Sequence, residues 1–148
     1  MAQLPQAPDP ILTRWKGILD PVISQANSLI GAGIPVSYTP VINAGTGVLG
    51  AYSVTANYTQ IGKTVLFSML IKIISNGTGS QYIGSTLPVP ANGLVLGYGR
   101  EDTSGTMLQS HVDTRVDGLG PMAIFTYNNG YPGFNGALIA INGTYFTL

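Results

Sequence analysis

A chain of 148 residues carries only 8% charged side chains, balanced to a formal net charge of zero, with twenty glycines, ten prolines and no cysteine. Ordinary soluble domains carry ~25% charge. No basic stripe offers a nucleic-acid footprint, and disulfide scaffolds and cysteine-ligated zinc are excluded. The length suffices to bury roughly two-thirds of the unfolded surface in one core. So little charge implies an exterior partly covered by assembly, because a lone monomer normally keeps a charged surface.

The first residues, Met1-Ala2-Gln3-Leu4-Pro5, lack a cationic segment followed by an apolar run, so a secretory leader is not expected. Met1 to Pro8 is rich in proline and glutamine without periodicity, and is expected to be disordered alone or extended if laid on a partner.

From Asp9 a short repeat follows. Asp9-Pro10-Ile11-Leu12, with Trp15, Ile18 and Leu19, recurs as Asp20-Pro21-Val22-Ile23, with Ala26, Leu29 and Ile30. The period of about eleven residues keeps one helical face in line. Asp-Pro suits an N-cap followed by the first helical position. The segment is either two short helices in series or one helix kinked at Pro21. In both, Ile11, Leu12, Trp15, Ile18, Leu19, Val22, Ile23, Leu29 and Ile30 are the anchoring residues. Helices this short are marginal alone in water, so the arm needs a surface to pack on, whether its own β-region, another copy or a larger assembly. Gly31-Ala32-Gly33 is the expected hinge, which divides the chain into an arm over 1–33 and a β-domain over 34–148.

Ile34 to Ile42 is a predicted strand and Asn43 to Gly47 a turn. Tyr52, Val54, Ala56 and Tyr58 alternate with Ser53, Thr55, Asn57 and Thr59, a strand with one buried face. After Gln60 to Lys63 comes the segment around which the domain is organised. Val65, Phe67, Met69, Ile71 and Ile73 form a wholly apolar parity that must face a core. The opposite parity mixes Thr64, Ser68 and Lys72 with Leu66, Leu70 and Ile74. Those last three are the candidate subunit-interface residues. The apolar run is too short to span a bilayer and contains Lys72, so no membrane insertion is expected.

Asn76 to Gly79 is a turn, and Leu87-Pro88-Val89-Pro90 suits an edge or crossover segment, because proline cannot donate to a ladder. Leu94, Leu96 and Tyr98 suggest a strand ending at Arg100. Asp102 to Gly105 is a hairpin turn. The return strand sets Leu108, Val112 and Val116 against Gln109, His111, Asp113 and Arg115. Further strands run from Met122 to Tyr127, Ala137 to Ile141 and Thr144 to Leu148, the last two interrupted by Asn142-Gly143. About eight strands with no helical pattern between them predict a mainly β fold: an antiparallel jelly-roll-like β-sandwich preceded by a short N-terminal helical arm.

Five features of the β-region, in order, resemble a module of bacteriophage virion proteins of the tail-fibre, head-fibre and decoration type. They are Tyr38-Thr39-Pro40; the turn Gly45-Thr46; Tyr58 with Ile61-Gly62-Lys63 entering the longest strand; Gly77-Thr78-Gly79; and Leu87-Pro88 with Pro90-Ala91. The resemblance spans 38–91. It implies a non-enzymatic structural protein, usually a homotrimer, assembled in the bacterial cytoplasm and fixed to capsid or tail proteins of the virion by its N-terminal arm.

Catalytic signals are weak. His111 is the only histidine, and no Gly-x-Ser-x-Gly elbow accompanies it. Glu101 and Asp113 could be imagined as a glycosidase pair, but Arg100 and Arg115 beside them make cross-strand ion pairs the simpler reading. Asp113 and Asp117 lack a calcium-loop pattern, and the Gly-Thr-Gly turns lack a phosphate-binding context. No enzyme activity, metal or cofactor is expected. Asn57, Asn76 and Asn142 open Asn-x-Thr triplets, attributed to chance in a chain rich in both residues. Tyr127, Tyr131 and Phe134 lie among glycines and asparagines, the surface a host glycan or a protein partner uses. They are the candidate ligand contacts of an alternative reading as a carbohydrate- or receptor-binding module, against the reading that they cap the end of the β-domain.

Overall fold

The structure, a computed structural model, describes residues 10–31, 33–93, 95–112 and 122–147, with helix side chains from 14 to 25. The chain forms two compact units, Met1–Gly33 and Ile34–Leu148.

The first unit holds one continuous helix, α1 (Pro10–Gly31), with Pro21 inside it. Of the two arrangements weighed from the repeat, the single helix is adopted. Pro21 leaves the Gly17 carbonyl without its usual donor. Trp15, Ile18, Leu19, Val22 and Ile23 lie exposed on this unit, spaced so that they share one stripe. The side chains of Ile11, Leu12, Leu29 and Ile30 lie outside the described residues. The helix ends at Gly31, and Gly33 takes the left-handed conformation at φ +107°.

The second unit is mainly β, as its alternation predicts. Its strands are β1 (Val36–Tyr38), β2 (Ile42–Thr46), β3 (Ala51–Ile61), β4 (Thr64–Ser75), β5 (Ser80–Ser85), β6 (Leu96–Glu101), β7 (Thr106–Val112), β8 (Met122–Thr126) and β9 (Leu138–Phe146). All pairings are antiparallel. In place of two separate ladders they form one sheet, ordered β1-β3-β4-β9-β6-β7-β8-β5-β2. The segment β9-β6-β7-β8 is a Greek key: three hairpin-connected strands, with the next one returning beside the first.

Curling follows from the connectivity. The two edge strands, β1 and β2, are joined only by Thr39, Pro40 and Val41, so the sheet's opposite edges lie within ~15 Å of each other. The Ile42 amide donates to the Tyr52 hydroxyl on β3 at 3.3 Å, closing part of the seam between the edges. Across the interior, the Ser85 hydroxyl of β5 reaches the Met69 sulfur of β4 at 3.2 Å.

β4 buries Val65, Phe67, Met69, Ile71 and Ile73, while Leu66, Leu70 and Ile74 are exposed. Ile139, Ile141 and Tyr145 of β9, Ile83 of β5 and Met122 and Ile124 of β8 complete the centre of the core.

Four segments depart from the sequence reading. The single strand expected over Ile34 to Ile42 is two strands on opposite edges, separated at Pro40, which cannot donate to a ladder. Asn43 to Thr46 is not a turn but most of β2, with an irregularity in its pairing to β5 between Ala44 and Thr46. β5 itself was not anticipated. β9 runs unbroken through Asn142-Gly143, which pair with Ser68 and Phe67.

Candidate functional site

The outward faces of β3, β4, β9 and β6 form one surface. Registers place Asn57 opposite Ser68, Ser68 opposite Asn142, and Asn142 opposite Tyr98. The neighbouring outward row runs Thr59, Leu66, Thr144, Leu96. Leu66, Leu96 and Tyr98 are exposed, Tyr98 to 73%.

The parity of β6 is opposite to the usual apolar-in arrangement. Its bulky residues point outward because the inward positions, Gly97 and Gly99, have no room for a side chain. A Cβ at Gly97 would stand 2.9 Å from the Asn142 carbonyl oxygen, and one at Gly99 would stand 2.9 Å from the Ile141 Cα. The interior is already filled there by the Phe67 ring and the β9 backbone.

Between these rows lies an open groove of about 600 Å³, lined by Asn57, Leu66, Ser68, Tyr98, Asn142 and Thr144 among others, with no charged side chain. The Ser37 hydroxyl donates to Asn57 Oδ1 at 2.8 Å. Among the described residues, the side chains of Ser68, Asn142, Thr144 and Tyr98 have no hydrogen-bond partner. Sequence reasoning singled out Leu66 but missed Tyr98 and Asn142. No local signal marked them: the Asn-x-Thr triplets opening at Asn57 and Asn142 flank β4 only through the strand register.

Farther along β4, Leu70 and Ile74 continue the exposed apolar parity. On the outward side of β7 and β8, His111 stacks on Phe125 at 5.1 Å with rings 7° from parallel, and Phe125 meets Tyr82 of β5 at 5.5 Å.

The aromatic residues of the loop from Tyr127 to Phe134 sit in different environments. The Tyr131 hydroxyl donates to Asn76 Oδ1 at 2.5 Å. Asn76 in turn donates from its side chain to the Gly79 carbonyl at 2.9 Å and from its backbone to Asn135 Oδ1 at 2.7 Å. Burial raises the Tyr131 phenol pKa, against a smaller lowering from the bond to Asn76. Tyr131 therefore ties the loop to the turn after β4. Tyr127 is 79% exposed beside Met107, and Phe134 is at the margin of exposure.

Glu101 is buried and serves the backbone. Its carboxylate accepts from the amides of Thr103 at 3.0 Å, Ser104 at 2.6 Å and Leu138 at 2.9 Å. Burial pushes its pKa up, but hydrogen bonding to the Ser104 side chain and to these three amides outweighs burial and holds it at about 2. Of the charged residues expected to pair across strands, Arg100 meets Asp102 in an exposed contact at 3.8 Å within one hairpin, and among the described residues Glu101 makes no ion pair. Asp113, Arg115 and Asp117 lie outside the described residues. Among the described residues no three histidine or acidic side chains gather as a metal-ligand set, and no helix is long and apolar enough to cross a membrane.

Comparison with protein-family models, with curated proteins and with solved structures found no match.

Proposed function

We propose that the chain is a non-enzymatic structural protein of a bacteriophage particle, a homotrimeric surface appendage or decoration anchored to capsid or tail proteins by its N-terminal helix. The observation that carries this reading is the exposed pair Leu70 and Ile74, which continue the apolar row beyond Leu66 on a twelve-residue strand whose opposite face is core. Full burial of an exposed Leu or Ile is worth about 1.5–3 kcal/mol, and these side chains, already about half buried, have roughly half of that left to gain. A chain with 8% charge has little else to keep that face soluble. A second copy supplies the cover, and the order of motifs over 38–91 supports the virion setting. The apolar stripe of α1 supports the anchoring role, since a helix of this length needs a partner surface.

Sedimentation of the purified chain tests the first part: a trimer is expected, and a monomer at micromolar concentration refutes it. Deletion of Met1 to Ile30 tests the second. Incorporation into particles is lost while the β unit stays folded; normal incorporation of the truncated chain refutes the anchor.

A further inference from the structure

We infer that the groove between Leu66 and Tyr98 binds a neutral oligosaccharide. Its lining combines one freely exposed aromatic face with a row of uncharged hydrogen-bonding groups. Tyr98 is 73% exposed, and among the described residues Ser68, Asn142 and Thr144 direct no side-chain hydrogen bond to the protein. An aromatic face takes the apolar C–H side of a pyranose, while amides and hydroxyls take its rim of hydroxyl groups.

Three features select the ligand. The absence of charge from the lining leaves nothing to compensate a phosphate, sulfate or carboxylate, so acidic glycans are disfavoured. Asn57, Ser68, Asn142 and Tyr98 occupy successive strands, ~4.8 Å apart, close to the repeat of an extended sugar chain. The groove's volume of about 600 Å³ holds several rings and lies within the range of small-molecule sites. A second copy of the chain is a poorer occupant here. The buried centre of a protein interface is depleted of polar groups, whereas Asn57, Ser68, Asn142 and Thr144 all line this groove. Leu70 and Ile74 lie farther along β4, outside the groove lining, so the inference holds whether or not the chain belongs to a virion.

The full chain is titrated with chitohexaose, cellohexaose, maltohexaose and mannohexaose, and with hexagalacturonate as the acidic comparison. At least one neutral hexasaccharide is expected to bind and hexagalacturonate is not. Tyr98→Ala weakens that binding by at least about tenfold, the loss of one ring stack. Tyr98→Phe keeps the affinity, because the face rather than the hydroxyl carries the contact, and Asn142→Ala weakens it. Sedimentation of each variant is unchanged from the parent chain. Failure of all four neutral probes, preference for hexagalacturonate, or unchanged affinity in Tyr98→Ala overturns the site. A shift of oligomeric state in Tyr98→Ala also overturns it, by making the groove a subunit contact; the trimer and the anchor are judged by their own experiments.

Discussion

The ring of Phe67 on β4 lies against the backbone of Gly143 on β9, so closely that a Cβ at Gly143 would stand 2.6 Å from two ring carbons. The two are register partners. On the next strand, a Cβ at Gly97 would also come within 3.5 Å of the same ring. Phe67 therefore occupies the space that side chains of β9 and β6 would have taken, and the glycines keep the strands regular beneath it. Gly143→Ala is expected to destabilise the domain by about 1–3 kcal/mol through overpacking. In Phe67→Leu the same change costs less. A double-mutant cycle by urea unfolding measures this coupling, and simple additivity counts against the packing account.

Glu101 makes stability depend on acidity. Its carboxyl lies at about 2 in the folded chain against an ordinary 4.5. A depressed carboxyl contributes stability that is fully present above pH 4.5 and is lost as pH falls from there towards 2. Glu101→Gln removes that dependence and places an amide donor among backbone donors, costing about 1–3 kcal/mol. Unfolding followed between pH 6 and pH 2 is expected to show a flatter profile for the variant; parallel profiles would overturn the assignment.

Two tyrosines predict opposite effects of the same change. The Tyr38 hydroxyl is buried with no partner among the described residues, and burial is the main reason its pKa is raised. Tyr38→Phe therefore leaves stability unchanged or increases it, by up to about 1 kcal/mol. The Tyr145 hydroxyl donates to the Val89 carbonyl at 2.8 Å and accepts from the Val89 amide at 3.3 Å. Tyr145→Phe strips both groups of that partner and costs about 1–3 kcal/mol. Thermal unfolding of the two variants should bracket the parent chain.

Leu70→Lys with Ile74→Lys tests the proposed interface without touching the core. Both side chains are exposed, and surface substitutions of this kind usually change stability by no more than ~0.5 kcal/mol. The expected result is an unchanged circular dichroism spectrum with loss of the trimer in sedimentation. A trimer that survives both lysines places the interface elsewhere.

Much of the fold was legible from alternation. A period of two over eleven residues suffices to assign β4 and its buried face, because only one side of a strand can meet a core. The helical arm was legible from its apolar spacing for the same reason. What failed were the glycine- and asparagine-rich pieces. Asn142-Gly143 reads as a turn because glycine is a turn former in isolation, yet here it is a strand position that makes room for Phe67. Asn43 to Thr46 reads as a turn and becomes an edge strand because β5 offers it a ladder. β5 escaped notice because its six residues start polar and include Gly84.

The groove was hidden for a different reason. Asn57, Ser68, Asn142 and Tyr98 are far apart in the chain and become neighbours only through register. The sequence alone determined which residues of each strand share a face, since that follows from local backbone geometry. Only the tertiary structure decided which faces meet, which glycines lie under a ring and which polar groups are left without a partner, because those depend on long-range pairing that no local pattern encodes.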